Sequence, residues 1–179
     1  MLLGSLPKGD EIRKDWVDWK NTYVTTLKRK LPDVSFIHGD SISDIAGAEM
    51  VVGHDLFQVR QADVCVVDAQ TKVGAGTAQE IVYAKYLQKP VVIVIPKNSH
   101  HRKTGIVFQG NVMKEWTHPF LKISTDYIAE SIEDAAEWIK SYSDSPKSYK
   151  IKDISVFDNA IKKFELFQEA SNKSPELGL

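Results

Sequence analysis

Apolar residues follow two rhythms along the chain. Short continuous runs, rich in β-branched residues, alternate with longer stretches in which apolar residues recur every third or fourth position. The first run is Met1-Leu2-Leu3, which ends in Gly4-Ser5. Others are Val34-Ser35-Phe36-Ile37, Val64-Cys65-Val66-Val67 and Pro90-Val91-Val92-Ile93-Val94-Ile95. Runs of this kind are the pattern of strands covered on both faces. Phe120-Leu121-Lys122-Ile123 predicts a fifth strand.

Helical spacing fills the intervals. Residues 10–30 predict one helix with Ile12, Trp16, Trp19, Tyr23 and Leu27 on a face and Asp10 as its cap. Residues 48–61 predict a second, with Val52, Leu56 and Val59 inward, and residues 77–88 a third, with Ile81, Ala84 and Leu87 inward. Residues 131–142 begin with a Ser131 cap, and residues 154–170 carry Phe157, Ile161, Phe164 and Phe167. Residues 38–47 read as a polar loop and 96–110 as a mobile, basic one. Residues 143–150 read as a linker and 171–179 as a disordered tail.

Strands alternating with helices imply a parallel sheet with right-handed crossovers. The expected fold is α/β: one Rossmann/flavodoxin-like three-layer domain with a parallel five-stranded sheet, helices on both faces and a C-terminal helix. A length of 179 residues, 42% hydrophobic and 26% charged, suits one domain with its own core. A net charge of −1 gives no general affinity for nucleic acid polymers or anionic membranes. The single cysteine, Cys65, sits in a strand run, so one chain holds neither a disulfide framework nor a cysteine zinc site. There is no signal-peptide pattern and no apolar run near the roughly 20 residues of a membrane span, so a cytoplasmic protein is expected.

In such sheets ligands bind at the carboxyl ends of the strands. Gly4-Ser5, residues 68–80 and the segment from Pro96 onward should meet there. Gly74-Ala75-Gly76-Thr77-Ala78-Gln79-Glu80 is the richest of these. Its glycines allow close ligand approach, and Glu80 lies about one turn into a helix whose free N–H groups favour an anion. Spacing alone leaves Glu80 open as a glutamate that merely complements the helix dipole. Asp55 is equally readable as a surface carboxylate, Asp68 as a strand-end ligand or a loop cap, and His100-His101-Arg102-Lys103 as a solvated loop or a flap that reaches a phosphate. There is no phosphate-binding Gly-x-x-x-x-Gly-Lys loop, no Gly-x-Ser-x-Gly elbow and no His-Glu-x-x-His.

Taken together, these pieces resemble the nucleoside 2-deoxyribosyltransferase family, whose superfamily includes 2'-deoxynucleoside 5'-phosphate N-hydrolases. The resemblance runs over residues 1–142, read as the catalytic domain, and leaves 143–179 as linker, helix and tail. It rests on Leu3-Gly4-Ser5, on His54-Asp55-Leu56 running into Gln61-Ala62-Asp63-Val64-Cys65-Val66-Val67, and on Gly76 to Ala84 followed by Lys89 to Ile95. Asn111-Val112-Met113 resembles an Asn-x-Met that family members lend to the neighbouring subunit.

The resemblance implies that Glu80 is the nucleophile, attacking C1' of the sugar, and that Asp55 contacts and protonates the departing base. It implies substrate contacts from Gly4, Ser5, Asp68, Gly74, Gly76, Asn111 and Met113, with Lys8 and Arg13 near a 5'-phosphate. It implies no cofactor and no metal, and a homo-oligomer with shared sites acting on a small nucleoside or nucleotide and a free base. Where the transferases often carry Asp and the phosphate-requiring hydrolases Ser, six positions before the nucleophile, this chain has Gly74. Base transfer is the leading reading. The alternatives are a 2'-deoxynucleoside 5'-monophosphate N-glycosidase, a non-catalytic nucleotide-binding sensor domain, and a scaffold driven by the aromatic helix and the C-terminal helix.

Overall fold

The structure is a computed structural model that describes residues 1–39, 41 and 44–173. In chain order these form β1 Leu2–Leu3, α1 Asp10–Arg13, α2 Trp19–Lys30, α3 Ala48–Gln61, β2 Cys65–Asp68, α4 Ala75–Tyr86 and β3 Val91–Val94. There follow β4 Arg102–Phe108, β5 Asn111–Thr117, α5 Pro119–Ser124, β6 Tyr127–Ala129, α6 Ile132–Asp144 and α7 Ser155–Lys173. The fold is α/β. Its main sheet is parallel and ordered β1-β2-β3-β6.

Alternation along the strands divides the core in two. Leu3, Cys65, Val67, Val91 and Ile93 face Val59 of α3, Ile81 and Ala84 of α4 and Leu121 of α5. Leu2, Val66, Val92 and Val94 face Tyr23 and Leu27 of α2 and Ile132, Ala135, Ala136 and Ile139 of α6. β2 and β3 are buried along their whole length, which is why their sequences are unbroken apolar runs. Among the described residues, no helix is long and apolar enough to cross a membrane.

Several expectations are corrected. The sheet has four strands, not five. Residues 34–37 run beside β1, but with only two residues β1 offers one rung: Leu2 N–H donates to Ile37 O at 2.8 Å, and Leu2 bridges His38. Residues 119–124 are helical, because Pro119 suits the first turn. The Ser124 and Thr125 hydroxyls then donate to the Phe120 and Leu121 carbonyls and end the helix. The fourth strand is instead β6, three residues long. The single helix expected over 10–30 is split, because the Asp18 carboxylate accepts the Lys20 N–H at 3.0 Å and opens a new helix.

The loop expected over 96–110 holds most of an antiparallel hairpin, β4–β5. Its two-residue turn, Gln109-Gly110, has φ of 48° and 80°, the positive pair that matches strand twist. Val107, Phe108, Val112 and Met113 are exposed on it. The C-terminal helix forms, and residues 158–170 of it are exposed. Of the expected tail, residues 171–173 are helical and 174–179 lie outside the described residues.

At the amino ends of the strands a buried ion pair closes the core. Lys85, at 0% exposure, donates from Nζ to Asp126 Oδ2 at 2.5 Å and to Lys152 O at 3.1 Å. Asp126 also accepts Val91 N–H at 2.7 Å and Lys152 N–H at 2.8 Å. Burial lowers the Lys85 pKa, and Asp126 opposes that shift. One carboxylate thus joins α4, β3 and the segment that leads to α7. Asp126→Ala should cost about 3–5 kcal/mol in denaturant unfolding, since it strands a buried ammonium. A loss under about 1 kcal/mol would show that water already reaches Lys85.

Candidate active site

The opposite ends of the strands are open. Where the chain leaves β1 it passes under Trp19: a Cβ on Gly4 would lie 2.4 Å from the indole, so the approach requires glycine. Trp19 Nε1 donates to Ser5 O at 3.1 Å, and Ser5 Oγ donates to Lys72 O at 2.7 Å. Asp68 ends β2 and accepts the Tyr23 hydroxyl at 2.8 Å and Gln70 Nε2 at 2.9 Å. Burial and the Asp68 charge raise the Tyr23 pKa, so its hydroxyl stays a donor. Val73 N–H donates to His101 Nε2 at 3.0 Å. The loop between β2 and α4 is therefore pinned before Gly74 opens α4, and Glu80 sits on that helix's second turn.

Asp55 approaches from α3. His54 Nδ1–H donates to Asp55 Oδ1 at 2.9 Å, while His54 Nε2 accepts from Ser41 Oγ at 2.8 Å and from Gln58 Nε2 at 3.2 Å. A Cβ on Gly39 would meet Asp55 Oδ1 at 2.9 Å, so backbone closes over this carboxylate. Glu80 is half-buried, and its pKa is pushed up to about 7, first by burial and then by the charge of Asp55.

The two carboxylates line one cleft of about 310 Å³, together with Gly4, Ser5, Lys8, Gly74 and Gly76. Two depressions adjoin it. A polar one of about 450 Å³ includes Lys8, Arg13, Asp44 and Asp55. An apolar one of about 680 Å³ lies between α3 and α4, bounded by Val52, Leu56, Tyr83, Tyr86 and Ile154, with Asp55 and Glu80 at its edge.

Of the residues singled out from sequence, Glu80, Asp55, Gly4, Ser5, Lys8, Gly74 and Gly76 meet in the cleft, and Arg13 lies in the adjoining depression. Lys8 pairs with Asp44 at 3.0 Å, and Arg13 Nε donates to Pro7 O at 3.1 Å. Asp68 is not in the lining; it is occupied by Tyr23 and Gln70. Asn111 and Met113 stand on β5 and line none of the three depressions. Of the basic run, His101 is buried against the loop and Arg102 pairs with Glu130 at 3.2 Å.

Sequence reasoning missed four residues of the cleft region. Trp19 read as helix packing and Lys20 carried no signal; the break before α2 brings both to the lining. Lys20 is 6% exposed, with Nζ 3.4 Å from Asp18 and 5.3 Å from the centre of the Trp16 ring. Gly39 is one of two glycines in the polar stretch 38–47 and carried no signal. Tyr83, three residues beyond Glu80 on α4, could have been found from that helical spacing. Among the described residues, no His, Cys, Asp or Glu cluster is arranged to hold a metal ion.

No protein-family model and no curated protein matches the chain.

A folded Glu80 titrating near 7, against an ordinary 4.5, holds a proton that the unfolded chain releases. Stability therefore falls as pH rises through that window, and the deficit is complete above it. Glu80→Gln should raise stability over wild type by about 1–3 kcal/mol at pH 8 and by little at pH 4, in denaturant unfolding at both pH values. Equal effects at the two pH values would contradict this electrostatic account.

Proposed function

We propose that this protein breaks the N-glycosidic bond of a 2'-deoxynucleoside or its 5'-monophosphate and passes the sugar to an acceptor base, as the resemblance to the nucleoside 2-deoxyribosyltransferases implies. One observation carries the proposal. Two carboxylates from different helices share a cleft at the carboxyl ends of parallel strands, and burial first, then the Asp55 charge, pushes the Glu80 pKa up to about 7.

The pair enters the reaction with one proton, which sits on Asp55 as Glu80 Oε attacks C1'; the C1'–N bond breaks, its electron pair leaves with the base, and Asp55 gives the base that proton. The glycosyl–Glu80 ester is then opened at C1' by the nitrogen of a second base, whose proton returns through Asp55. The apolar groove with Tyr83 and Tyr86, ring centroids 6.0 Å apart, suits a flat base. The polar depression with Lys8 and Arg13 suits the 5' end of the sugar. That basic pair is also what favours the second reading, hydrolysis of a 5'-monophosphate with water as acceptor.

The proposal extends to fold class, assembly and location. With residues 34–38 counted as an edge strand beside β1, the order is that of a Rossmann/flavodoxin-like, five-stranded, three-layer domain. Residues 1–142 form the catalytic unit. The protein works in the cytoplasm without a cofactor, and as a homo-oligomer. Asn111 and Met113 stand away from their own cleft on a hairpin that exposes Val107, Phe108 and Val112, which suits a neighbour's site.

The test is chromatography of products from 2'-deoxynucleosides and their 5'-monophosphates, each with and without a second free base. A new nucleoside formed only with added base is expected; base release from monophosphates alone would assign the hydrolase. No product from any substrate would favour a binding domain. Glu80→Ala should remove nearly all turnover, and Asp55→Asn about 10²-fold, with the fold retained. Activity should fall as pH rises through about 7, where the carboxylate pair gives up the proton that Asp55 passes to the base, whereas a rate that keeps rising above that pH would show that the base leaves without it.

Sedimentation should show a dimer or larger assembly. An active monomer would remove Asn111 and Met113 from the mechanism.

A further inference from the structure

The loop from β2 to α4 is pinned at three points. Asp68 holds Gln70, and Ser5 holds the Lys72 carbonyl. The third comes from outside the sheet: Val73 N–H donates to His101 Nε2 at 3.0 Å. That bond places the ring proton on Nδ1. His101 is 7% exposed and lies edge-on to His100 and His118, with ring centroids 4.7 and 5.6 Å away. Its carbonyl accepts His118 N–H at 2.9 Å, and neighbouring Arg102 pairs with Glu130. The imidazole is thus a fixed part of the hairpin's base.

Val73 immediately precedes Gly74, whose carbonyl accepts the Ala78 N–H as α4 begins. Glu80 rides on α4, whereas Asp55 belongs to α3. Their relation depends on where α4 starts, and the loop sets that start. We infer that His101 is a positioning residue for Glu80: by holding the Val73 amide it fixes the start of α4 and the seating of Glu80 against Asp55. Through this bond the hairpin is joined to the loop that opens α4. The inference rests on Glu80 being the reacting group.

Two variants separate the bond from simple packing. His101→Phe keeps a ring but has no acceptor; His101→Gln can bring an amide oxygen near the Nε2 position. Amide exchange at Val73, the NMR titration midpoint of Glu80, and kcat and KM are then compared. In His101→Phe, Val73 exchange should quicken about 10-fold or more as the loop opens locally. The Glu80 midpoint should move away from that of wild type, and kcat should fall about 10-fold or more at similar KM, since small misplacements of a reacting group are costly. His101→Gln should restore all three.

Faster Val73 exchange with an unchanged Glu80 midpoint and kcat would reduce His101 to a structural pin and overturn the inference. A folded wild type with the proton on His101 Nε2, read from its imidazole ¹⁵N shifts, would overturn it without any variant. A wild type inert on every nucleoside and nucleotide would sink the proposed function, while the Glu80 midpoint would still decide the role of His101.

Discussion

Burial of β2 and β3 on both faces is the constraint from which the rest follows. Residues 65–68 and 91–94 are all buried, so nearly every side chain along them must be apolar. Charged groups are driven to the two ends of the strands, and the ends are used differently. At the amino ends, Lys85 and Asp126 neutralise each other and satisfy backbone groups, which closes the core around the segment leading to α7. At the carboxyl ends, Asp55 and Glu80 line one cleft, and burial together with the Asp55 charge gives Glu80 a proton near neutral pH.

The carboxyl ends are ordered by small contacts rather than by one strong one. Gly4 lets Trp19 lie on the chain, Ser5 reaches Lys72, Asp68 gathers Tyr23 and Gln70, and His101 receives Val73. Each fixes a part of the backbone that leads into α4. Polar groups so committed are not available to a ligand, as Asp68 illustrates. The groups that line the open space include Glu80, Asp55, the glycines around them, Lys8, and an apolar wall with Tyr83 and Tyr86. Such a division between scaffold and cleft is what a preorganised site requires.

Much of this was legible from the sequence where periodicity is strong. The runs 64–67 and 90–95, and the helices over 48–61, 77–88 and 131–142, are long or apolar enough for tertiary packing to reinforce local preference. Legibility fails where an element is short. β6 has three residues, β1 has two, and residues 34–37 meet β1 at a single bridge. The break before α2 depends on one side-chain bond from Asp18, which no periodicity shows. The hairpin lacks a burial pattern because most of its side chains are exposed, so only the Gln109-Gly110 turn could have marked it. Within the site, the Glu80 and Asp55 pairing was readable through resemblance, whereas His101 was not: its role comes from a contact between segments 28 residues apart.

In the proposed reaction Glu80 becomes covalently joined to the sugar. Rapid quenching of the protein with a panel of 2'-deoxynucleosides and their 5'-monophosphates, followed by peptide mass spectrometry, tests it directly. A deoxyribosyl or deoxyribosyl-phosphate ester on Glu80, absent from Glu80→Ala, is the predicted result. Release of base with an unmodified Glu80, or with the sugar on another residue, would contradict it.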